Sequence, residues 1–205
     1  GNSPIYEPGL GELIKKNCTA KRLSFTTNIN RAINTSDIIF ICVGTPTRKG
    51  SIKVDLSFVN KCTKKILKYS KRKKIIVTKS TVPVGTGDDI EKILKKKKKL
   101  FTVISNPEFL REGEAIRDFR YPDRIVIGSN EKKTFNIMRK LYAPLTNKGS
   151  KFFSTSRRGA ELIKYASNAF LATKITFINE LANLCEKSGV NIEDISLGMG
   201  SDSRI

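Results

Sequence analysis

Short apolar segments alternate along the chain with longer segments whose apolar residues recur at helical spacing. The segments with strand character are 23–26, 37–43, Lys74–Thr78, 100–105, 124–128 and 151–154. Two of them, 37–43 and 75–77, are largely continuous apolar runs, which is typical of strands covered on both faces of a parallel sheet. The intervening segments 55–69 and Thr86–Leu94 have helical length and spacing, and Asp55 stands where a helix N-cap is expected. This alternation predicts a doubly wound α/β domain with parallel strands.

After residue 154 the chain changes to a purely helical pattern. Residues 156 to about 188 have the spacing of one long helix. Gly189 is suited to end it, because glycine readily adopts the left-handed conformation of a helix stop. A shorter helix over 192–197 follows. We therefore predict a domain boundary near residue 154, with an α/β domain over 1–154 and the start of a helical domain over 155–205.

The composition is that of a globular protein rather than a disordered or membrane-spanning one. Hydrophobic residues make up 39% of 205 residues, and no apolar run approaches the ~20 residues of a membrane span. The N-terminus lacks a basic region followed by an apolar stretch, so no signal peptide is expected. The four cysteines are scattered without metal-ligand spacing, which favours a reduced, cytoplasmic protein. The absence of histidine excludes a Ser-His-Asp triad and a His-ligated metal within this chain. No metal site is predicted.

The net charge of +20 admits two interpretations. Much of it lies in two basic runs, 71–74 and 95–99, each immediately before a strand-like segment. A nucleic-acid-binding module would bring these runs onto one exposed face with aromatic residues nearby. No aromatic residue interleaves them, so base stacking has no platform. The pattern favours solvated loops and helix ends without a nucleic-acid partner.

Three loops follow three of the strand segments, at 43–47, 79–85 and 106–113. In an open parallel sheet the carboxyl ends of the strands form the ligand crevice, so all three loops are expected at one edge. Each carries glycine, proline or hydroxyl residues, which let the backbone approach a ligand. Taken singly each loop is an ordinary turn, and their shared placement is what indicates a site.

Glu108 and Glu112 form the first candidate pair in these loops. Four residues apart, they share a face if the segment after Pro107 is helical. Phe109 and Leu110 lie between them, and an apolar setting would make a carboxylate a better general base. The alternative is that two acidic groups simply favour the positive end of a helix.

Lys164 and Asn168 form the second pair, one turn apart on the long helix. They lead a stripe that continues through Leu171, Ile175, Ile178 and Ala182, while Leu162, Ala166, Ala169, Phe177 and Leu184 cluster opposite. A helix that is apolar on two sides is expected to run between domains or between subunits. Lysine is rarely buried without a partner. Lys164 is therefore either functional or packs its stem while its ammonium reaches water.

Seven short motifs, in order, resemble the UDP-glucose/GDP-mannose dehydrogenase family over essentially the whole chain. They are Pro-Ile-Tyr-Glu-Pro-Gly-Leu at 4–10, Val-Gly-Thr-Pro-Thr at 43–47, Lys-Ser-Thr-Val-Pro-Val-Gly at 79–85, Asn-Pro-Glu-Phe-Leu-Arg-Glu-Gly at 106–113, Pro-Asp-Arg at 122–124, Lys-Tyr-Ala-Ser-Asn-Ala at 164–169 and Gly-Ser-Asp-Ser-Arg-Ile at 200–205. Each motif is weak alone, and the ordered set is specific. The motifs at 122–124 and 200–205 look more like the UDP-glucose 6-dehydrogenases than the GDP-mannose branch, which remains the alternative.

The resemblance implies an oxidoreductase that uses two NAD to convert the C6 alcohol of UDP-glucose to the carboxylate of UDP-glucuronate. It implies that NAD contacts the two loops after the first strands, at Val43, Gly44, Thr45, Pro46, Thr47, Ser80, Thr81 and Val82. Glu108 matches the base that releases a thioester intermediate, and Glu112 matches a residue near the nicotinamide. Thr81, Lys164 and Asn168 match groups that hold a catalytic water and the developing oxyanion.

The resemblance also implies where the sugar nucleotide and a second subunit would bind. Phe109 and Leu110 match residues that line the sugar-nucleotide pocket, and Arg111 lies in the same substrate-binding loop. Arg204 matches an arginine that reaches the substrate of the partner subunit. The expected assembly is a homodimer, or a higher homo-oligomer, through the long helix.

Two departures from the family pattern shape the expected fold. The dinucleotide fingerprint Gly-x-Gly-x-x-Gly is absent; in the family it precedes the motif at 4–10. The catalytic cysteine of the family follows the motif at 200–205, and none of the four cysteines matches it. We therefore expect an incomplete Rossmann-like sheet without its first βαβ unit, a chain truncated at both ends, and no turnover by this piece alone. A dimerisation protein without catalysis is the other alternative, and it predicts association without NAD binding.

Overall fold

A five-stranded sheet forms the centre of the α/β part of the chain. The computed structural model describes residues 5–95 and 100–203. Its strands are β1 (Ile38–Ile41), β2 (Lys74–Thr78), β3 (Phe101–Ser105), β4 (Arg124–Ser129) and β5 (Lys151–Thr155), in the spatial order β1-β2-β3-β4-β5. Its helices are α1 (Leu10–Thr19), α2 (Ile29–Thr35), α3 (Ser57–Tyr69), α4 (Thr86–Leu94), α5 (Ala115–Arg120), α6 (Lys132–Thr146), α7 (Arg157–Ser188) and α8 (Ile192–Gly200). The predicted α/β fold is confirmed, and its sheet is mostly parallel.

One strand pair departs from the prediction of parallel strands throughout. β1, β2 and β3 are parallel, and so are β4 and β5, but β3 and β4 are antiparallel and pair only over their last two residues. A parallel connection needs a crossover of a dozen or more residues, usually a helix that returns the chain to the amino edge of the sheet. Between β3 and β4 the only helix in the described chain is α5, with six residues. β4 therefore starts beyond the carboxyl end of β3.

The segment 23–26 was predicted as a strand, and this prediction is wrong. Its four residues are exposed and, within the part of the chain that the structure describes, pair with no strand. An extended segment becomes a strand only where a neighbouring strand accepts and donates its backbone hydrogen bonds. β1 has one such neighbour, β2, and its other edge carries no described strand.

The hydrophobic core lies on both faces of the sheet. Ile76 of β2 packs in one cluster, with residues of α3 and α4, and its neighbour Val77 packs in another, with residues of α6. Successive strand residues point to opposite faces, so helices cover β2 on both sides. The apolar run 75–77 thus has the buried, two-sided setting that its composition predicts.

Several predicted helix ends hold within a few residues. Gly189 has φ +66°, as expected of a residue that ends α7. α8 continues to Gly200, three residues beyond the predicted end. α3 begins at Ser57 rather than at Asp55, whose carboxylate accepts hydrogen bonds from the Ser57 N–H (2.8 Å) and hydroxyl (3.1 Å). Asp55 therefore stabilises the start of α3 from just outside it.

The chain forms two compact units, residues 1–164 and 165–205, and α7 contributes to both. In the second unit the apolar side chains on both sides of α7 are exposed within the single chain; they include Phe170, Leu171, Ile175, Phe177 and Leu184. Across the described ranges no helix combines the length and apolarity needed to cross a membrane.

The first basic run is not wholly solvated, which corrects one part of its interpretation. Lys71, Arg72 and Lys73 are exposed, but Lys74 is buried at 2% exposure. Its ammonium donates to the carbonyl oxygens of Asn34 and Ser36, which precede β1. Lys74 is therefore a structural group at the amino edge of the sheet. Residues 96–99 of the second run lie outside the described residues.

Candidate active site

The loops that follow β1 and β2 are tied to each other at the carboxyl edge of the sheet. The Thr45 hydroxyl donates to the Thr81 carbonyl oxygen (2.8 Å), and the Ser80 hydroxyl donates to that of Val43 (2.6 Å). Because β1, β2 and β3 are parallel, the loop 106–113 follows at the same edge. The predicted shared placement of the three loops is confirmed.

Lys164 is buried and paired with a carboxylate. Its side chain is 8% exposed, and its Nζ lies 3.1 Å from Oε1 of Glu108, whose side chain is 30% exposed. The same ammonium lies 5.2 Å from the centre of the Phe109 ring, and the Arg124 guanidinium lies 4.4 Å from that ring. Lys164 therefore does not extend its ammonium into water, contrary to the second of its two interpretations.

Glu108 and Glu112 do not share a helical face. The segment 106–114 is irregular, and α5 begins only at Ala115. Glu108 turns back so that its Oε2 accepts from the Leu110 N–H (2.6 Å). Gly113 has φ +82°, a left-handed backbone conformation that does not occur inside a right-handed α-helix. Glu108 lies at Lys164, whereas Glu112 is exposed.

The irregular loop is anchored by Glu7, which sequence reasoning left without a role. Its carboxylate accepts from the N–H of Gly113 (3.0 Å) and of Ile116 (3.1 Å), more than a hundred residues later. These two donors would otherwise be unpaired at the start of α5. The only sequence signal for a role of Glu7 was its place in the motif at 4–10, and residue spacing does not predict so distant a contact.

A buried chain of hydrogen bonds fixes the start of the same loop. The Tyr142 hydroxyl donates to Oδ1 of Asn106 (2.6 Å), and Nδ2 of Asn106 donates to the Val126 carbonyl oxygen (3.0 Å). Asn106 is 1% exposed. Burial raises the pKa of Tyr142 to about 12, so the phenol keeps its proton at all physiological pH values. Asn106 thereby joins the loop to both α6 and β4.

We expect Tyr142→Phe to lower the free energy of unfolding by about 1–3 kcal/mol, because it leaves the buried Asn106 Oδ1 without its donor. Urea unfolding followed by circular dichroism measures this difference. Tyr121→Phe is the matched control, since Tyr121 is 65% exposed. Equal midpoints for Tyr142→Phe and the wild type would show that the bond contributes nothing.

Lys79, at the end of β2, is a second perturbed lysine that sequence reasoning missed. Burial lowers the pKa of Lys79 to about 8; the charges of Glu108 and Cys42 oppose this shift and that of Lys164 adds to it. A lysine directly after a strand carries no pattern that distinguishes it from a solvated one. Its position makes it a group of the same edge that holds Glu108 and Lys164.

The Lys79 amine is expected to titrate near pH 8, where an ordinary lysine titrates near 10.5. Reductive ¹³C-methylation followed by NMR titration measures the midpoint. Glu108→Gln removes the carboxylate that raises the pKa of Lys79, so its midpoint should fall further. A wild-type midpoint above pH 10 would contradict the prediction.

Glu161, in the first turns of α7, caps the N-terminus of α4. Its carboxylate accepts from the Gly85 N–H (2.6 Å), the Gly87 N–H (2.8 Å) and the Ser105 hydroxyl (3.0 Å). Glu161 is 3% exposed. An anion at this end of a helix is favoured by the unpaired N–H groups and the helix dipole. A Cβ at Gly87 would lie 3.0 Å from Oε1 of Glu161, so glycine lets the carboxylate approach.

Arg157 adds an ion-pair network between the same two helices. Its Nη2 lies 2.7 Å from Oδ1 of Asp88 and 2.7 Å from Oε2 of Glu91, and its side chain is 3% exposed. Arg158 also contacts Asp88, at 2.7 Å. These contacts fix the beginning of α7 on α4. Lys164, one turn after Glu161, is therefore held toward Glu108.

The other predicted site residues are less tied to this centre. Val82 is buried in the hydrophobic core. Arg111 makes a paired contact with Asp118 (2.7 and 3.0 Å), which lowers the pKa of Asp118 to about 2. Asn168 is exposed in the second compact unit. Arg204 lies outside the described residues.

The architecture is that of an α/β domain with three loops at the carboxyl ends of the parallel strands β1, β2 and β3, the edge at which nucleotide-binding oxidoreductases bind their ligands. Residues 1–146 match the model of the NAD binding domain of the UDP-glucose/GDP-mannose dehydrogenase family, and residues 158–205 match the model of its central domain. The chain belongs to the UDP-glucose/GDP-mannose dehydrogenase family.

Individual relatives agree with this assignment. The chain is 50% identical to a UDP-glucose 6-dehydrogenase of Rhizobium meliloti, with all of the chain and 48% of that protein covered. It is 49% identical to the UDP-glucose 6-dehydrogenase YwqF of Bacillus subtilis, with 100% and 46% covered. The chain thus spans about half the length of the curated relatives it matches.

Solved structures show the same fold. A GDP-mannose dehydrogenase from Pseudomonas aeruginosa, in a ternary complex, superposes with a TM-score of 0.93 at 32% identity, covering 100% of this chain and 48% of that one. A UDP-glucose dehydrogenase from Pyrobaculum islandicum gives 0.91 at 37% identity, with the same coverage.

Proposed function

We propose that the full-length protein oxidises the C6 alcohol of UDP-glucose to the carboxylate of UDP-glucuronate with NAD. The observation that carries the proposal is the buried Lys164 paired with Glu108 at the carboxyl edge of the sheet. Relatives about 50% identical carry the name UDP-glucose 6-dehydrogenase. The motifs at 122–124 and 200–205 favour the same branch.

The loops after β1 and β2 fit NAD as the cofactor. A Cβ added at Gly44 would meet no atom within 4 Å, so the backbone of the first loop is open to a ligand. The hydrogen bonds of Thr45 and Ser80 hold the two loops together, so that Val43–Thr47 and Ser80–Thr81 can form one binding surface, which the buried Val82 supports from the core. NAD bound at these residues would supply the hydride acceptor for the oxidation at C6.

Lys164 and Glu108 have complementary roles in this proposal. The Lys164 ammonium stabilises negative charge as it develops on the substrate oxygen, an effect that is stronger where water is excluded. The Glu108 carboxylate, next to that cation, accepts the proton of the water that attacks C6 of the thioester intermediate, and the thiolate leaves as the C–S bond breaks. The resemblance to the family assigns Thr81, Glu112 and Asn168 to the same chemistry, and assigns Phe109, Leu110, Arg111 and Arg204 to binding of the sugar nucleotide.

The second compact unit supports self-association as a further part of the proposal. Its helix α7 exposes large apolar side chains on both sides within the single chain. We propose that a second copy of the chain covers them in a homodimer.

We also propose that the protein is cytoplasmic. All four cysteines are free, which fits the reducing cytoplasm.

The test is production of NADH, followed at 340 nm, by the complete gene product with NAD and UDP-glucose. Two NADH for each UDP-glucose are expected, because oxidation of an alcohol to a carboxylate removes four electrons. GDP-mannose is assayed in parallel, since a GDP-mannose dehydrogenase superposes as well as a UDP-glucose enzyme does. NADH from GDP-mannose and none from UDP-glucose would assign the protein to the other branch. NADH from neither would refute the proposal.

A further inference from the structure

A small cavity lies at the carboxyl ends of β2 and β3, lined by residues of the loops that follow them and by Glu161 and Lys164 of α7. Its volume is about 10 Å³, and its polar lining includes Thr78, Ser80, Ser105, Glu161 and Lys164. A cavity needs roughly 10–15 Å³ to admit one water, so this space holds one small molecule at most.

The Thr78 hydroxyl is the unexplained group in this cavity. Thr78 is 1% exposed, and among the described residues its Oγ1 has no hydrogen-bond partner. A buried hydroxyl without a partner is destabilising by about 1–3 kcal/mol, so such groups in folded proteins are nearly always paired with protein or with water. Thr78 is also one of the residues that line the cavity.

We propose that the cavity binds a single water molecule, held by Thr78, Glu161, Lys164 and the Ser105 hydroxyl oxygen. A water donates two hydrogen bonds and accepts two. It accepts from the Thr78 hydroxyl and from one of the Lys164 N–H groups that Glu108 leaves free, since an ammonium has three donors. It donates to the Glu161 carboxylate and to the oxygen of Ser105.

The protein groups have unused hydrogen-bonding positions that match the two bonds the water donates. A carboxylate has about four acceptor sites, and Glu161 uses three of them for Gly85, Gly87 and Ser105. The Ser105 hydroxyl donates its hydrogen bond to Glu161, and its oxygen retains lone pairs that can accept one from the water.

The chemistry of the lining excludes ions as the occupant. A cation would lie beside the Lys164 ammonium, which repels it and has no lone pair to offer. An anion would lie beside the Glu161 carboxylate. A neutral molecule that both donates and accepts meets neither repulsion.

Lys164 and Thr81 line this cavity and also belong to the proposed reacting centre. The other proposed ligands of the water, Thr78, Ser105 and Glu161, are 1%, 1% and 3% exposed, so they have no free access to solvent. The site does not depend on the proposed oxidation. Where that oxidation holds, the water gives the reacting lysine a second fixed partner.

A crystal structure of the wild-type protein at about 1.5 Å tests the proposal. We expect a density peak about 2.6–3.2 Å from both Thr78 Oγ1 and a Glu161 carboxylate oxygen. An empty cavity in that map would overturn it. Activity plays no part in this measurement, so its failure is separate from failure of the proposed function.

Thr78→Val supplies an independent outcome in thermal melting. Valine has the shape of threonine without the hydroxyl. If the water is present, the variant loses a hydrogen bond, and Tm should fall by about 2–4 °C. If the hydroxyl is unpaired, removing it should leave Tm unchanged or raise it, which would contradict the proposal.

Two further variants keep the test sharp. Thr78→Ser retains the hydroxyl and should retain the density peak, so it decides the matter if Thr78→Val does not fold. Thr63→Val is the matched control, because Thr63 is buried and its hydroxyl already donates to the Val59 carbonyl oxygen (2.9 Å). The peak should persist in Thr63→Val. A peak that also persists unchanged in Thr78→Val would remove Thr78 as a ligand and overturn the proposal.

Discussion

Replacing Lys164 by alanine in the full-length protein is expected to lower kcat by roughly 10²–10³-fold and to leave KM near its wild-type value. An ammonium that meets charge developing on the substrate oxygen acts mainly in the transition state, so its loss slows turnover more than it weakens binding. The burial of Lys164 strengthens this expectation, because charge interactions are screened least where water is excluded. Steady-state kinetics with UDP-glucose and NAD measure both constants. Asn168→Ala should show a smaller loss of the same kind.

Lys133→Ala is the matched control for this variant. Lys133 also lies 3.1 Å from a glutamate, Glu131, but its side chain is 77% exposed. Its kcat should equal that of the wild type. A Lys164→Ala protein that melts at a lower temperature and retains full activity would show that Lys164 is structural and would refute its proposed role.

The second large effect is expected on stability, from Glu161→Ala. The variant removes three hydrogen bonds to a buried carboxylate, so the donors of Gly85, Gly87 and Ser105 lose their acceptor. Hydrogen bonds to charged groups contribute more than neutral ones, so we expect the free energy of unfolding to fall by about 3–4 kcal/mol. This corresponds to a Tm lower by roughly 6–16 °C. Urea unfolding and thermal melting measure the two quantities.

Glu186→Ala separates loss of this cap from loss of any glutamate on α7. Glu186 is exposed on the same helix, and its replacement should change Tm by a degree or so at most. If Glu161→Ala and Glu186→Ala have the same Tm, Glu161 does not stabilise the contact between α4 and α7.

The elements of the α/β unit were largely predictable from local pattern. The apolar runs at β2 and β3 and the helical spacing at α4 are properties of short stretches, and the structure places these elements within a residue of the predicted bounds. The direction of β4 was not predictable in this way. Parallel and antiparallel strands have similar composition, and direction depends on the path of the connection. The prediction of a strand at 23–26 was wrong because a strand also requires a neighbouring strand with which to pair.

The candidate site was predictable in part, for a similar reason. Lys164 stood out because a lysine on an apolar helix stripe needs a partner, but its partner Glu108 lies 56 residues earlier and no spacing rule connects them. Glu7, Glu161 and Lys79 were missed because their significance lies entirely in contacts made by folding. Each is an ordinary charged residue in its local sequence.

The cap at the N-terminus of α4 also sets an order of events during synthesis. Glu161 follows its three partners in the chain by 56 to 76 residues. At about 5–20 residues per second, a ribosome adds that length in roughly 3–15 s. Through that interval water alone solvates the N–H groups of Gly85 and Gly87 on the nascent chain. When α7 emerges and Glu161 closes the helix end, Lys164, one turn further along α7, reaches Glu108. The buried ion pair is therefore completed only after α7 has packed against the sheet and α4.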